Sequence, residues 1–110
     1  MDQKIYALFE KGKIFLKDLK RVDLSQISAK RSLQAYLGIN LKGFYQIVFI
    51  RNAKSRLLVK EAREIDEICA KCEEISQTRI TKRAIFFNSA ICSKSSEFLK
   101  QNGWTCYDFM

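Results

Sequence analysis

The chain has no histidine and no proline among its 110 residues, only four glycines, and no apolar run near the ~18 residues of a membrane span. Each absence excludes something. Without histidine there is no Ser-His-Asp triad and no Cys-His pair. A structural zinc site would have to be built from cysteines alone. Without proline no cis-proline turn can form. The N-terminal MDQKIYALFEKGK lacks a signal peptide's charge order, long apolar stretch and small-residue cleavage site, so the cytoplasm is the expected compartment. Thiols stay reduced there, and four cysteines in such a chain are not a disulfide framework.

What is present fits one globular domain. Apolar residues make up 47% of the chain, enough for a real core at this length. The net charge of +8 is unevenly placed: residues 1–60 hold 13 Lys/Arg against 4 Asp/Glu, residues 61–110 hold 7 against 8. Such asymmetry points to a face for an acidic partner, nucleic acid being the commonest. The same Lys-, Ile- and Phe-rich, bacterial-like composition also follows from A·T-rich coding.

Read for pattern, "KIYALFEKGKIFLKDL" (4–19) predicts a hairpin turning at Lys11-Gly12. "ISAKRSLQAYLG" (27–38) predicts a helix capped by Ser28, with Leu33, Tyr36 and Leu37 on one face and Gly38 as its stop. "FYQIVFI" (44–50) predicts a buried strand and "RLLVKEA" (56–62) its returning partner. A helix over 63–76, a strand over 83–87, a helix over 93–103 and a strand over 104–109 complete the chain. "KIFLKDLKRVD" (13–23) also aligns without gaps to "RLLVKEAREID" (56–66), so both segments should share one shape, with or without duplication. The expected architecture is a single α+β domain over 1–110. It has two β-hairpin–α units (1–43 and 44–78), a β-α-β unit (79–110), and a mixed, mostly antiparallel sheet with helices packed on it.

Cys69-x-x-Cys72 has the spacing of zinc ribbons and thiol oxidoreductases, but it falls mid-helix beside an Ile65, Ile68, Cys72, Ile75 stripe, which predicts core. Cys92 sits between a strand and a helix, where helix amides stabilise a thiolate. Its "CSKS" resembles the Cys-x-x-Ser of monothiol glutaredoxins, and the strand–loop–helix–Gly run resembles the end of a rhodanese domain. The chain departs from the first in having no cis-proline. It departs from the second in placing Ser93, Lys94, Ser95 and Ser96 where rhodaneses carry arginine and glycine. An incidental or buried thiol is the plainer reading. "NSAICSKSS" also offers an anion hydroxyls and helix amides, with Lys94 nearby.

Three functions follow. The leading one is non-catalytic nucleic-acid binding through cations at the two hairpin tips: Lys11, Lys13, Lys17, Lys20, Arg21, Arg51, Lys54 and Arg56, joined by Lys30 and Arg31. Tyr6, Phe9, Phe15, Phe44 and Tyr45 interleave with them and offer stacking surfaces for unpaired bases, or else core. The second is a protein-interaction or homodimerising module in which the acidic helix 61–76 meets a basic partner. The third is a histidine-free metal nuclease using Asp18 and Lys20, with Glu10 upstream. The strand–helix–strand ending resembles restriction-endonuclease-like domains, which implies that chemistry. A strand edge kept soluble by its charges accounts for the same residues. No cofactor, no metal centre and no membrane contact are expected.

Overall fold

The computed structural model describes residues 3–25, 27 and 32–109. Among them the elements run α1 (Gln3–Lys11), β1 (Lys17–Val22), β2 (Leu33–Ile39), β3 (Tyr45–Arg51), α2 (Val59–Ser76), β4 (Lys82–Phe87), α3 (Ser93–Gln101) and β5 (Trp104–Asp108). The strands form one sheet in chain order. β1–β2 and β2–β3 pair antiparallel, β3–β4 and β4–β5 parallel, so the sheet is mixed and evenly divided. The domain is α+β and ends in the expected β-α-β unit.

Two successive crossovers step the same way across the sheet, and their common hand puts α2 and α3 on one face. There Ile65, Cys69 and Leu99 pack with Ile47, Phe49, Ile85 and Trp104. α1 covers the other face, setting Ile5, Phe9 and Ile14 against Tyr36, Val48, Ile50 and Phe86. β3 and β4 are buried on both sides, which is why they read as continuous apolar runs.

The first half differs from its sequence reading in three places. Residues 3–11 are helix rather than hairpin: Ile5 and Phe9 lie one turn apart on the buried side, and Tyr6 points out. The Lys11-Gly12 turn ends that helix. Ile14 N–H bonds to Phe9 O and Lys13 N–H to Glu10 O, with Lys13 left-handed at φ 56. This is a Schellman closure, sealed by burial of Ile14 and Phe9 together. A side chain at Gly12 would start 3.0 Å from the Phe86 ring.

Second, residues 33–39 form β2 rather than a helix. Both faces of this strand are covered, so Leu33, Tyr36 and Leu37 are apolar without implying a helical stripe. Gly38 is no helix stop: a Cβ there would sit 2.8 Å from the Leu16 Cβ, so its bare backbone admits the incoming β1. Ser28, Lys30 and Arg31 lie outside the described residues. The expected 43/44 boundary falls inside the β2–β3 hairpin.

Third, residues 56–62 do not return as a strand. Leu57 makes one bridge to Ile91, and the helix then begins at Val59. The echo therefore takes two shapes: 17–22 is an edge strand, whereas 59–66 is helix with Ala62 and Ile65 buried over the sheet. Tertiary context overrides similar local sequence here.

Candidate nucleic-acid interface

β2 and β3 pair from Leu33↔Arg51 to Ile39↔Tyr45 and close through residues 40–44. Asn40 fixes this turn: its Oδ1 accepts the N–H groups of Lys42 and Phe44, each at 3.0 Å, and Gly43 takes φ +85. Lys17, the first residue of β1, pairs with Ile39 and so lies beside the same turn. This end of the sheet presents Phe15, Leu41, Phe44 and Tyr45 with exposures of 58%, 86%, 50% and 40%. Phe15, Lys17, Ile39, Leu41 and Lys42 line an open cleft of about 470 Å³ there.

The predicted cations separate into groups. Lys11 and Lys13 are exposed at the end of α1, and Lys17, Lys20 and Arg21 are exposed along β1. Lys54 and Arg56 are exposed after β3, at the opposite end of the sheet. Six strand steps, about 20 Å, separate the two ends of β3. The two-lobed surface of equivalent hairpin tips is not formed, because neither Lys11-Gly12 nor 51–56 is a hairpin turn. The tight hairpin turn among the described residues joins β2 and β3, and it adds Leu41 and Lys42, which sequence reasoning missed. Asn40 and Gly43 were the signal, hidden by reading 27–38 as helix.

Arg51 leaves the surface set altogether. It is 1% exposed, and its guanidinium forks onto Glu61 through Nε and Nη2. Nη1 also donates to Ser89 Oγ at 2.8 Å and to Ser55 O at 3.0 Å. Arg83 likewise engages Asp66 at 3.3 Å and Glu73 at 3.2 Å. Asp66 also receives the indole N–H of Trp104 at 3.0 Å. Three acids of the helix expected to meet a partner are thus spent on arginines of the same domain. Its outward residues mix Glu67 and Glu74 with Lys60, Arg63 and Lys71, which is not an acidic face. Among the described residues no ion pair holds Lys11, Lys13, Lys17, Lys20, Arg21, Lys54 or Arg56.

The carboxylate candidates are scattered. Asp18 sits at φ +52 in a β1 bulge on the sheet edge, and Glu10 is exposed on α1. Strands β2, β3 and β4 carry no Asp or Glu beside them. Among the described residues no three His, Cys, Asp or Glu gather to hold a metal ion. No helix there is long and apolar enough to cross a membrane.

Cys69 and Cys72 are buried in the core, and burial pushes the Cys69 thiol up to about 12 and that of Cys72 up as well. Half-buried Cys106 is raised for the same reason. Cys92 differs. It caps α3, with Ser95 Oγ at 2.8 Å and Ser95 N–H at 3.4 Å from its sulfur. Those two bonds, helped by the Val59 amide and the Arg56 charge, hold its pKa below the ordinary value.

No family model and no curated protein matches the chain. Solved structures do share its fold. A structure of EndoMS in apo form superposes with a TM-score of 0.59 at 15% identity, covering 97% of this chain and 44% of that one. An EndoMS–dsDNA complex gives 0.55 at 13% identity over 96% and 42%. A repair endonuclease from Pyrococcus abyssi gives 0.56 at 10% identity over 96% and 45%. The chain thus spans less than half the length of these proteins, and the likeness is one of fold.

Proposed function

We propose that the protein binds nucleic acid, without cleaving it, through the exposed cations of β1 and the β2–β3 hairpin. The observation that carries this reading is how the charge is partitioned. Arg51 and Arg83 neutralise inner acids, while Lys17, Lys20 and Arg21 stand exposed along one sheet edge in no ion pair among the described residues. Asp18 lies between the first two, Asp23 near Arg21, and Lys42 at the adjoining turn. A row of such cations attracts a phosphate backbone with little sequence preference. The fold shared with EndoMS, solved with double-stranded DNA, and with a repair endonuclease supports the same partner class. The lack of carboxylates on β2, β3 and β4 favours binding over hydrolysis.

The test is fluorescence anisotropy with labelled DNA and RNA from about 50 to 200 mM salt, with and without magnesium. For four phosphate contacts on duplex DNA, affinity should fall about 100-fold across that range. Gln at Lys17, Lys20, Arg21 and Lys42 should weaken binding and flatten the slope. Flat traces at the lowest salt would discard the proposal. Magnesium-dependent cleavage that Asp18→Ala abolishes would replace it with a nuclease.

A further inference from the structure

Six of the thirteen aromatic residues, Phe9, Tyr36, Phe49, Phe86, Phe87 and Trp104, are buried, and Tyr6 is exposed on α1. Phe15, Phe44, Tyr45 and Leu41 are left exposed together at one end of the sheet. Scattered surface apolar residues need no explanation, but Phe15 and Leu41 line one cleft, with Phe44 exposed at the same turn, and apolar residues grouped beside a cleft mark a binding surface. Tyr45 lines a separate cleft towards Ser76 and Thr78. Lys17 and Lys42 line that cleft and no carboxylate does, so its occupant is anionic as well as apolar-faced. A second copy of this chain fits poorly, because a two-fold contact here would bring these lysines towards their own equivalents.

We propose that this end of the sheet holds unpaired bases, so that the protein prefers single-stranded nucleic acid or an overhang to intact duplex. The inference rests on the nucleic-acid reading above and deepens it. Duplex bases are already stacked on one another and offer no free faces, whereas a single strand offers one per nucleotide. The rings are held in place beforehand. The Asn40 bonds lock the turn before Phe44, and buried Ile14 anchors the chain just ahead of Phe15. Lys17 and Lys42 then lie where flanking phosphates would run, continuous with Lys20 and Arg21 along β1. The same chemistry suits an anionic lipid surface, but a cleft recessed between two segments suits an inserted base better than the flat plane of a bilayer.

The experiment compares three labelled oligonucleotides of equal length: a single strand, its duplex, and an abasic single strand that keeps the phosphates but lacks bases. The wild type should bind the base-bearing strand more tightly than either of the others. Phe15→Ala and Phe44→Ala should each weaken that binding about 5- to 150-fold, the range of one base–aromatic stack. Both should leave the abasic strand within about twofold, since the phosphate contacts are untouched. Both side chains are half exposed, so an unchanged Tm confirms that the variants fold. Equal affinity for all three oligonucleotides, unmoved by either variant, would overturn this inference and leave the electrostatic reading standing. No binding to any of them would overturn both. In that case phosphatidylserine vesicles, bound by the wild type and not by Phe15→Ala, would reassign the surface to a membrane.

Discussion

The Arg51 guanidinium and the Glu61 carboxylate meet in a two-pronged pair at the point where β3 hands over to α2. The arginine is 1% exposed and the glutamate 22%, so the charge is held inside and its partner reaches it from the rim. Ser55 and Ser89 occupy the remaining N–H groups, which ties the loop after β3 to the loop after β4. Breaking a buried pair from one side leaves an uncompensated charge, at a cost of 3–5 kcal/mol in the general case. Glu61→Ala should therefore cost about 3 kcal/mol, near the lower limit because Glu61 is partly solvated. The check is the midpoint of urea unfolding. An unchanged midpoint would show that the pair is not formed in solution. Lys54→Gln, only three residues from Arg51, should leave the midpoint in place.

That pair also shows where sequence reading stopped. Arg51 follows five buried or half-buried strand residues, yet its sequence alone places it with the surface cations, because burial of a charge depends on a carboxylate ten residues away. The second half of the domain was legible to within a few residues. α2, β4, α3 and β5 carry strong apolar patterns, and each ends at a clear turn. The first half was not, since α1 and β2 both sit where covering elements make the apolar spacing ambiguous. Phe15, Phe44 and Lys17 are candidates by composition, but their placement at one end of the sheet depends on the β1–β2 and β2–β3 registers. Neither register is written in local sequence.

Cys92 should be the thiol that reacts first. The Ser95 hydroxyl and amide, the Val59 amide and the Arg56 charge favour its thiolate, whereas burial holds Cys69, Cys72 and Cys106 as thiols. Brief iodoacetamide treatment near neutral pH, read by peptide mass spectrometry, should label Cys92 well ahead of the others. The midpoint of its rate against pH should lie below that of an ordinary thiol. Ser95→Ala should shift the midpoint upward. Equal labelling of all four cysteines would contradict the burial pattern as well as the capping bond.

Gly38 and Gly43 should fail for different reasons. At Gly38 an added methyl would lie 2.8 Å from the Leu16 Cβ and 3.2 Å from Lys17 O, forcing β1 away from β2. Gly38→Ala should cost about 1–3 kcal/mol, as overpacking does. At Gly43 nothing lies within 4 Å, but φ is +85. Gly43→Ala should cost about 1–2 kcal/mol through backbone strain alone. Gly43→Asn, which tolerates a left-handed conformation better, should recover part of that loss, and Gly38→Asn should recover none. Recovery at both positions would mean that Gly38 is not clamped by Leu16.

Cys69 makes the fold sensitive to alkali. Burial is the main reason its thiol is pushed from 9.0 to about 12, with Arg83 opposing and Glu73, Cys72 and Asp66 adding to the rise. A raised folded-state value means that the native protein keeps a proton that the unfolded chain gives up. The resulting stability is fully present below about pH 9 and is lost as pH rises from there towards 12. Within that window one such group changes stability by about 1.4 kcal/mol per pH unit. Tyrosines and lysines titrate in the same range, so the informative quantity is a difference between two proteins. Cys69→Ala should be less stable than the wild type at about pH 8, through loss of a packed sulfur, and that gap should narrow as pH rises above 9. A gap that stays constant would show that the sulfur at position 69 is solvated on both sides of unfolding, and the core around Ile65 and Leu99 would have to be looser than the structure describes.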